Sequence, residues 1–188
     1  MAEFNVLVAG YLGDDDRVGS TVSLIRDGDA VVVVDPGLVR SRPAILDPIA
    51  ALGLAAEDVT DVVISHHHPD HTLNVALFPN ARLHDHWAWY RDDLWMSREA
   101  EGFEVSPGVT LWETPGHTPQ DISTIVQTDD GVVVCTHLWW TAEGPAEDPY
   151  ATDPKLLHEN RSRVLDLQPA LIVPGHGPAF AITGDTAR

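Results

Sequence analysis

Residues 64–71, Ile-Ser-His-His-His-Pro-Asp-His, are the stretch that best predicts the fold and chemistry of this chain. The residues just before, Asp-Val-Val-Ile at 61–64, predict a short buried strand, so the histidines fall on the turn at its carboxyl end. Within six positions stand His66, His68, Asp70 and His71. Imidazole nitrogens and a carboxylate oxygen are typical ligands of zinc and also suit iron or manganese. The spacing therefore predicts a metal site.

Three further histidines follow strand-like segments in the same way. His117 lies in Thr-Pro-Gly-His-Thr after residues 109–113, and His176 lies in Pro-Gly-His-Gly after residues 170–173. His137 closes the apolar run 132–136. Ligands at the ends of neighbouring strands can converge on one point, so these three are further candidate ligands. The alternative for His137 is a buried histidine that binds no metal.

The pattern His-x-His-x-Asp-His at residues 66–71 resembles the signature of the metallo-β-lactamase fold superfamily. This resemblance implies one mixed α/β (α+β) domain over residues 1–188, a four-layer αββα sandwich. It also implies that Asp35, after the run of four valines at 31–34, supports the site from outside the ligand set. The implied ligands are His66, His68 and His117 for a first metal, and Asp70, His71 and His176 for a second.

Within the superfamily, three segments resemble the metallo-β-lactamase domain-containing protein 1 family. They are residues 70–79, 114–123 and 161–178. Vertebrate members of that family have been linked to RNA cleavage. A shared fold does not carry a substrate with it, so this likeness predicts a compact hydrolase rather than a particular reaction.

The chain departs from the superfamily at His137. Most members place Gly-Asp at this point, with the Asp carboxylate bridging two metals, whereas this chain has Thr136-His137. A neutral imidazole has one free lone pair and cannot span two ions. His137 is therefore expected to be a terminal ligand of one metal, with a more positive site, a lower pKa for bound water and weaker retention of a second ion. Both one-metal and two-metal sites remain open.

Hydrophobic periodicity and turn residues predict a mixture of strands and helices. A hairpin is expected at residues 20–35 around Asp27-Gly28-Asp29, and a long helix at residues 153–167 with Asp153 as its N-cap before Pro154. The other predicted strands are residues 4–11, 61–64, 81–84, 109–113, 121–127, 131–136 and 170–173, and the other predicted helices are residues 43–52 and 72–78. The aromatic segment 87–96 is ambiguous.

Composition limits the partners. The formal charge is −18, with ten Arg and only Lys155 as a lysine, so no basic tract is present to hold a phosphate backbone. Nucleic acid is disfavoured, a small-molecule substrate is expected, and a homodimer is left open. The first ten residues lack a basic region and no apolar run would span a bilayer, which predicts a cytoplasmic protein with no membrane partner. The single cysteine, Cys135, allows no intrachain disulfide.

The mechanism that these residues favour is metal-assisted hydrolysis by a metal-held hydroxide, with zinc, up to two ions, as the expected cofactor and iron or manganese as alternatives. Asp70 is the candidate catalytic residue, because it could orient the attacking water and carry its proton. Esters, thioesters, lactones and phosphodiesters all remain open as substrates. The alternatives are an endoribonuclease, a single-iron sulfur dioxygenase, and a non-catalytic metal-binding protein.

Overall fold

The computed structural model describes residues 1–188, and most of its strands belong to two mixed sheets. The strands are β1 Glu3–Val8, β2 Tyr11–Leu12, β3 Val18–Gly19, β4 Val22–Asp27, β5 Ala30–Val34, β6 Asp61–Val63, β7 Arg82–His84, β8 Ala88–Arg91, β9 Leu94–Ser97, β10 Glu104–Ser106, β11 Val109–Glu113, β12 Ile122–Thr128, β13 Gly131–Cys135 and β14 Leu171–Val173. The helices are α1 Pro43–Ala51, α2 Pro69–Thr72 and α3 Pro154–Asp166.

The first sheet has the order β1-β4-β5-β6-β7-β8-β9, and β5, β6 and β7 run parallel. The second has the order β10-β11-β12-β13-β14, antiparallel except for β13 and β14. A small ribbon pairs β2 with β3. The parallel strands matter for function, because their carboxyl ends lie on the same edge of each sheet.

The two sheets pack face to face with a helix on each outer side. Val32 and Val34 belong to the core between the sheets, with Val133 and Val173 of the second sheet. Val33, whose side chain points the other way, packs in a separate cluster with Ile45 and Ile49 of α1. A third cluster joins the outer face of the second sheet to α3. These layers confirm the predicted αββα sandwich.

Several predicted elements are confirmed. β4 and β5 form the expected hairpin, and Gly28 in its turn has a φ of +62°. The long helix begins at Pro154, where the Asp153 carboxylate accepts hydrogen bonds from the backbone N–H groups of Lys155 and Leu156 at 3.0 and 3.1 Å. Such a cap satisfies N–H groups that have no partner within the helix.

The predicted helix at residues 72–78 is wrong. The helical turn begins earlier, at Pro69, and ends at Thr72, with a separate 3₁₀ turn at Val75–Leu77. Asn74 explains the break, because its backbone N–H donates to Pro36 O at 2.8 Å and its side chain donates to Gly37 O at 2.6 Å. These bonds draw the backbone away from a continuous helix.

The predicted strand at residues 4–11 is too long. It ends at Val8, and Gly10 N–H donates to the Thr21 hydroxyl at 3.1 Å instead of continuing the ladder. The ambiguous aromatic segment is the β8–β9 hairpin, whose turn residue Asp92 has a φ of +52°. None of the three α-helices has the length and apolar character needed to cross a membrane.

Candidate metal centre

The predicted ligands all follow strands whose ends meet at one edge of the sandwich. His66 and His68 come after β6, His117 after β11, His137 after β13 and His176 after β14. The edge carries a cavity of about 960 Å³, and His68, His117, His137 and His176 contribute to its walls together with Asp70. His66 and His71 lie deeper, with 1% and 0% of their surface exposed.

The first group of donor atoms comprises His66, His68 and His117. His66 Nε2 lies 3.0 Å from His68 Nδ1, and His117 Nε2 lies 3.1 Å from the same atom. Three imidazole nitrogens therefore converge. This grouping is the one that the family resemblance implies for a first metal, and three nitrogens at this separation could surround one tetrahedral ion with a position left open.

The second group comprises Asp70, His71 and His176. Asp70 Oδ2 lies 3.5 Å from both His71 Nε2 and His176 Nε2. The His71 Nε2 atom is buried and has no hydrogen-bond partner in the protein. A buried nitrogen without a partner is costly unless something binds it, and a metal ion is a fitting occupant because carboxylate and imidazole are its usual ligands.

His137 lies between the two groups. Ligand atoms of His66, His117 and His137 lie within 4.8 Å of one another, and the same holds for His71, His137 and His176. Its Nε2 is 3.1 Å from His176 Nε2, while its Nδ1 is buried without a partner. The ring is only 2% exposed, so it points into the site and not to solvent. An imidazole can serve only one of the two groups through Nε2.

Gly175 makes room for His137. A Cβ at this position would lie 2.4 Å from His137 Cδ2, closer than side chains approach in real structures. Gly37 has a comparable role on the other side, where a Cβ would overlap the backbone carbonyl oxygen of Asp70 at 1.7 Å. Close packing at two glycines therefore holds the loops that carry His137 and Asp70.

Four of the histidines have their outer ring nitrogen held by a fixed partner. His71 Nδ1 donates to Asp35 Oδ2 at 2.9 Å, and His117 Nδ1 donates to Asp148 Oδ2 at 2.7 Å. His176 Nδ1 faces Gly19 O at 3.2 Å, and His66 Nδ1 faces the Ser65 hydroxyl at 3.0 Å. The two carboxylates and the carbonyl accept a proton donated by Nδ1, which fixes the tautomer of His71, His117 and His176 and leaves the Nε2 lone pair free, as metal-binding histidines require; the Ser65 hydroxyl, which can donate or accept, orients the His66 ring.

Asp35 has the outer position that the resemblance implies. Its Oδ1 accepts the Ser65 N–H at 2.6 Å while its Oδ2 binds His71, so one carboxylate ties two loops together. Its φ of +51° places it in the left-handed region, which Asp adopts more readily than most residues. This backbone turns the carboxylate toward the histidines after β5 ends.

The electrostatics keep most of the imidazoles neutral. Burial, and then the neighbouring histidines, lower the pKa of His66 and His137 well below the usual 6.5, and the pKa of His176 falls to about 4. His71 is the exception: burial opposes its charge, but the Asp35 carboxylate raises its pKa above 6.5. Neutral imidazoles offer lone pairs, so the site suits a cation.

Asp148 was not identified from the sequence as part of the site. It lies in the turn-rich segment 143–149, and its carboxylate is almost fully buried against His117 and the Trp140 indole N–H, which donates to it at 3.0 Å. Burial would raise its pKa, yet the hydrogen bonds from His117, Tyr150 and Trp140 hold it below 3.8. An acidic residue in a loop looks like a solvated charge, so no local pattern could have identified it.

The other histidines lie outside the donor groups, as expected. His67 turns away and pairs with Asp85 at 3.2 Å, and buried His84 binds Asp61 at 2.8 Å. Cys135 is also excluded, since it is buried and burial raises the pKa of its thiol. The geometry thus brings together every predicted ligand, although metal binding by these residues stays a prediction.

Comparisons with known proteins agree with this geometry. Residues 15–88 match the family model described as the metallo-beta-lactamase superfamily. Metallo-beta-lactamase domain-containing protein 1 of Xenopus laevis is 31% identical over 95% of this chain and 81% of its own length. A metallo-beta-lactamase-like protein of Thermotoga maritima superposes with a TM-score of 0.73 at 22% identity, covering 96% of this chain and 99% of the other.

A second solved structure, a variant of B. thuringiensis AiiA with N-decanoyl-L-homoserine bound at its active site, superposes with a TM-score of 0.68 at 21% identity, covering 93% of this chain and 92% of the other. At these identities the two structures support the fold alone. The similarity to the Xenopus laevis protein covers nearly the whole chain, including the segments that carry the candidate ligands. The chain therefore belongs to the metallo-beta-lactamase superfamily.

Proposed function

We propose that this protein is a metal-dependent hydrolase that acts on a small molecule with an ester, thioester, lactone or phosphodiester bond. One observation carries the proposal: two groups of donor atoms, on either side of His137, contribute side chains to the wall of a cavity of about 960 Å³. A divalent ion bound there supplies an activated water and polarises the oxygen of the scissile bond.

Asp70 is the proposed catalytic residue. Its side chain is one-fifth exposed, lines the cavity, and lies between His71 and His176 at 3.5 Å from each. A carboxylate in this position can orient a water molecule and take its proton. The leaving group then receives that proton as the bond breaks.

No side-chain nucleophile competes with this mechanism. The cavity walls contain no serine, cysteine or lysine. Of the two threonines, Thr118 has its hydroxyl engaged with Asp121 at 2.6 Å, and Thr152 makes no hydrogen bond to a base. Covalent catalysis needs an activated nucleophile close to a base. Attack by water is therefore the chemistry that the cavity favours.

The charge favours small molecules over nucleic acid. Arg17 is the one cationic side chain of the cavity wall apart from the histidines, and its guanidinium already pairs with Asp15 at 3.0 Å. With a net charge of −18, the surface repels a phosphate backbone. The B. thuringiensis neighbour binds N-decanoyl-L-homoserine, a small acyl compound, and the proposed substrates for this chain are likewise small molecules.

Zinc is the proposed metal, with iron or manganese as alternatives, and the number of ions depends on His137. Its ring lies within reach of both donor groups, but a neutral imidazole has one free lone pair and can join only one of them. The chain thus has one bridging carboxylate fewer than the superfamily pattern. A tightly held first ion and a weakly held second ion are expected.

Metal analysis of untagged protein by plasma mass spectrometry, followed by a panel of esters, thioesters, lactones and phosphodiesters, tests the proposal. One to two zinc ions per chain and turnover that a chelator abolishes are expected. His68→Gln should remove the bound zinc and the turnover. His158 is an exposed histidine of α3, so His158→Gln should change neither the zinc content nor the turnover.

Other results would identify a rival function. About one iron per chain with oxygen uptake would indicate a sulfur dioxygenase. RNA cleavage that collapses with added salt would indicate an endoribonuclease. Bound metal without turnover on any compound would indicate a non-catalytic metal-binding protein, and absence of metal would refute the hydrolase.

A further inference from the structure

Two aromatic rings stand beside the first donor group at the mouth of the cavity. Trp140 and Tyr150 are nearly parallel, with their ring planes 14° apart and their centroids 5.7 Å apart. Both are almost perpendicular to the ring of His117, at 6.1 and 6.4 Å. Tyr150 nevertheless remains 69% exposed. Both rings belong to the cavity wall, so the exposed ring of Tyr150 is available to stack a planar ligand.

One carboxylate fixes both aromatic residues relative to the candidate ligand. Asp148 Oδ2 accepts the Trp140 indole N–H at 3.0 Å and the His117 Nδ1–H at 2.7 Å, while Oδ1 accepts the Tyr150 backbone N–H at 2.8 Å. The distance between the rings and the metal site is therefore set by direct hydrogen bonds. A group bound on the rings would have a defined position relative to the reacting atoms.

α3 anchors the loop that carries Asp148 and Tyr150. Arg161 is fully buried, and its guanidinium donates to Leu138 O at 2.8 Å, Ala146 O at 2.6 Å and Pro145 O at 2.8 Å. These bonds hold the loop before any ligand arrives. A surface that is already ordered loses little conformational entropy on binding.

The β2–β3 ribbon and the loop between its strands form another wall of the cavity. Leu12 and Val18 give this wall apolar surface, the loop adds Asp16 and Arg17, and Leu12 is 48% exposed. The ribbon is tied to the site because Gly19 O faces His176 Nδ1 at 3.2 Å. The space between the two walls is of the size that encloses a small organic ligand.

We propose that Trp140 and Tyr150 form a subsite that stacks a planar aromatic group of an uncharged ester substrate. Trp140 stacks against Tyr150, and the Tyr150 ring is 69% exposed, so its open face can stack an aromatic group in preference to a saturated ring of similar size. Because Arg17 is the one lysine or arginine of the cavity wall and already pairs with Asp15, a negatively charged substrate is disfavoured. This inference rests on the proposed hydrolase activity and names its substrate class as esters that carry a planar aromatic group.

Substitution of Tyr150 tests the subsite, because the exposed ring contributes little to the core. The measurement is kcat/KM for methyl naphthoate divided by that for methyl cyclohexanecarboxylate, on the zinc-loaded protein. Tyr150→Leu should lower this ratio about 2- to 10-fold, mainly through KM for the aromatic ester. Tyr150→Phe, which retains the ring, should restore it. Trp95→Leu is the matched control, since Trp95 is 64% exposed on β9 and is not part of the cavity wall.

A ratio unchanged in Tyr150→Leu, or lowered equally in Trp95→Leu, would overturn the subsite. A binding measurement separates this failure from failure of the hydrolase proposal. Neutral naphthamide, observed by saturation-transfer NMR, should bind more tightly than cyclohexanecarboxamide and lose that advantage in Tyr150→Leu. Such binding without turnover of any ester would support the subsite and refute the hydrolase, whereas no preference for naphthamide would refute the subsite even if esters are hydrolysed.

Discussion

Asp35→Asn is expected to weaken zinc binding about 10- to 100-fold without changing the fold. Asp35 accepts two hydrogen bonds, from His71 Nδ1 at 2.9 Å and from the Ser65 N–H at 2.6 Å. Asparagine has the same shape and also tolerates the left-handed backbone at a φ of +51°. It has only one acceptor oxygen, however, so one of the two N–H donors must face an NH₂ group.

The size of the effect follows from this lost bond. A hydrogen bond to a charged group contributes about 1.5 to 3 kcal/mol. A 10- to 100-fold loss of affinity corresponds to about 1.4 to 2.8 kcal/mol, so the two estimates agree. The Asp35 carboxylate also raises the pKa of His71 against the effect of burial. Without that charge, His71 becomes a weaker donor to a metal ion.

The assay is a competition titration in which a chromophoric chelator and the protein share zinc. Asp61→Asn is the control, because Asp61 is likewise a buried carboxylate that binds a histidine, His84, at 2.8 Å, but lies outside the metal site. The control should lose about 2 kcal/mol of the free energy of unfolding and keep the zinc affinity of the natural chain.

The reasoning would be refuted if Asp35→Asn bound zinc as tightly as the natural chain. It would also be refuted if Asp61→Asn lost as much zinc affinity as Asp35→Asn. In the second case the loss would come from general destabilisation. Circular dichroism of both variants at the temperature of the titration confirms that each is folded before its affinity is compared.

His137→Asp should raise the number of zinc ions per chain, measured by plasma mass spectrometry, because a carboxylate can bridge both donor groups; an unchanged metal content would contradict this role for His137. Gly175→Ala should displace His137 and cost about 1 to 3 kcal/mol of stability, measured by urea unfolding, whereas Gly184→Ala, with nothing within 4 Å of the added carbon, should be close to neutral. Burial lowers the pKa of the His84 imidazole in the folded protein. As the pH falls, the unfolded chain therefore binds a proton at His84 before the folded protein does, and the free energy of unfolding should fall as the pH drops below 6.5. In His84→Gln the free energy of unfolding should fall less steeply between about pH 7 and pH 5 than in the natural chain. Equal slopes for the two proteins would show that protonation of His84 does not contribute.

Local patterns were sufficient where neighbouring residues decide the structure. The Asp153-Pro154 start of α3 depends on hydrogen bonds within one turn, and the sequence predicted it correctly. The helix predicted at residues 72–78 failed because Asn74 bonds to Pro36 and Gly37, which lie more than thirty residues away in the chain. The spacing of hydrophobic residues carries no information on hydrogen bonds to distant parts of the chain that compete with a helix.

The candidate site also has a part that local sequence predicted and a part that depends on distant contacts. The turn after β6 places His66, His68 and Asp70 within five residues, so its spacing alone was enough to predict a metal-binding segment. Their assembly with His117, 49 residues from His68, depends on the packing of one sheet against the other. His137 shows the limit most clearly, since its position predicted a ligand but not that its ring would be in reach of both donor groups.

Residue types and short spacings thus determined which chemistry the chain can support, because ligand identity and a single turn are local properties. The tertiary structure decided how many donor groups form, which outer partners fix their tautomers, and what surrounds the substrate. Asp148 and Gly19 reach their histidines across 31 and 157 residues of chain. Such contacts arise from the way two sheets and their loops pack, and a packing arrangement depends on all the layers together.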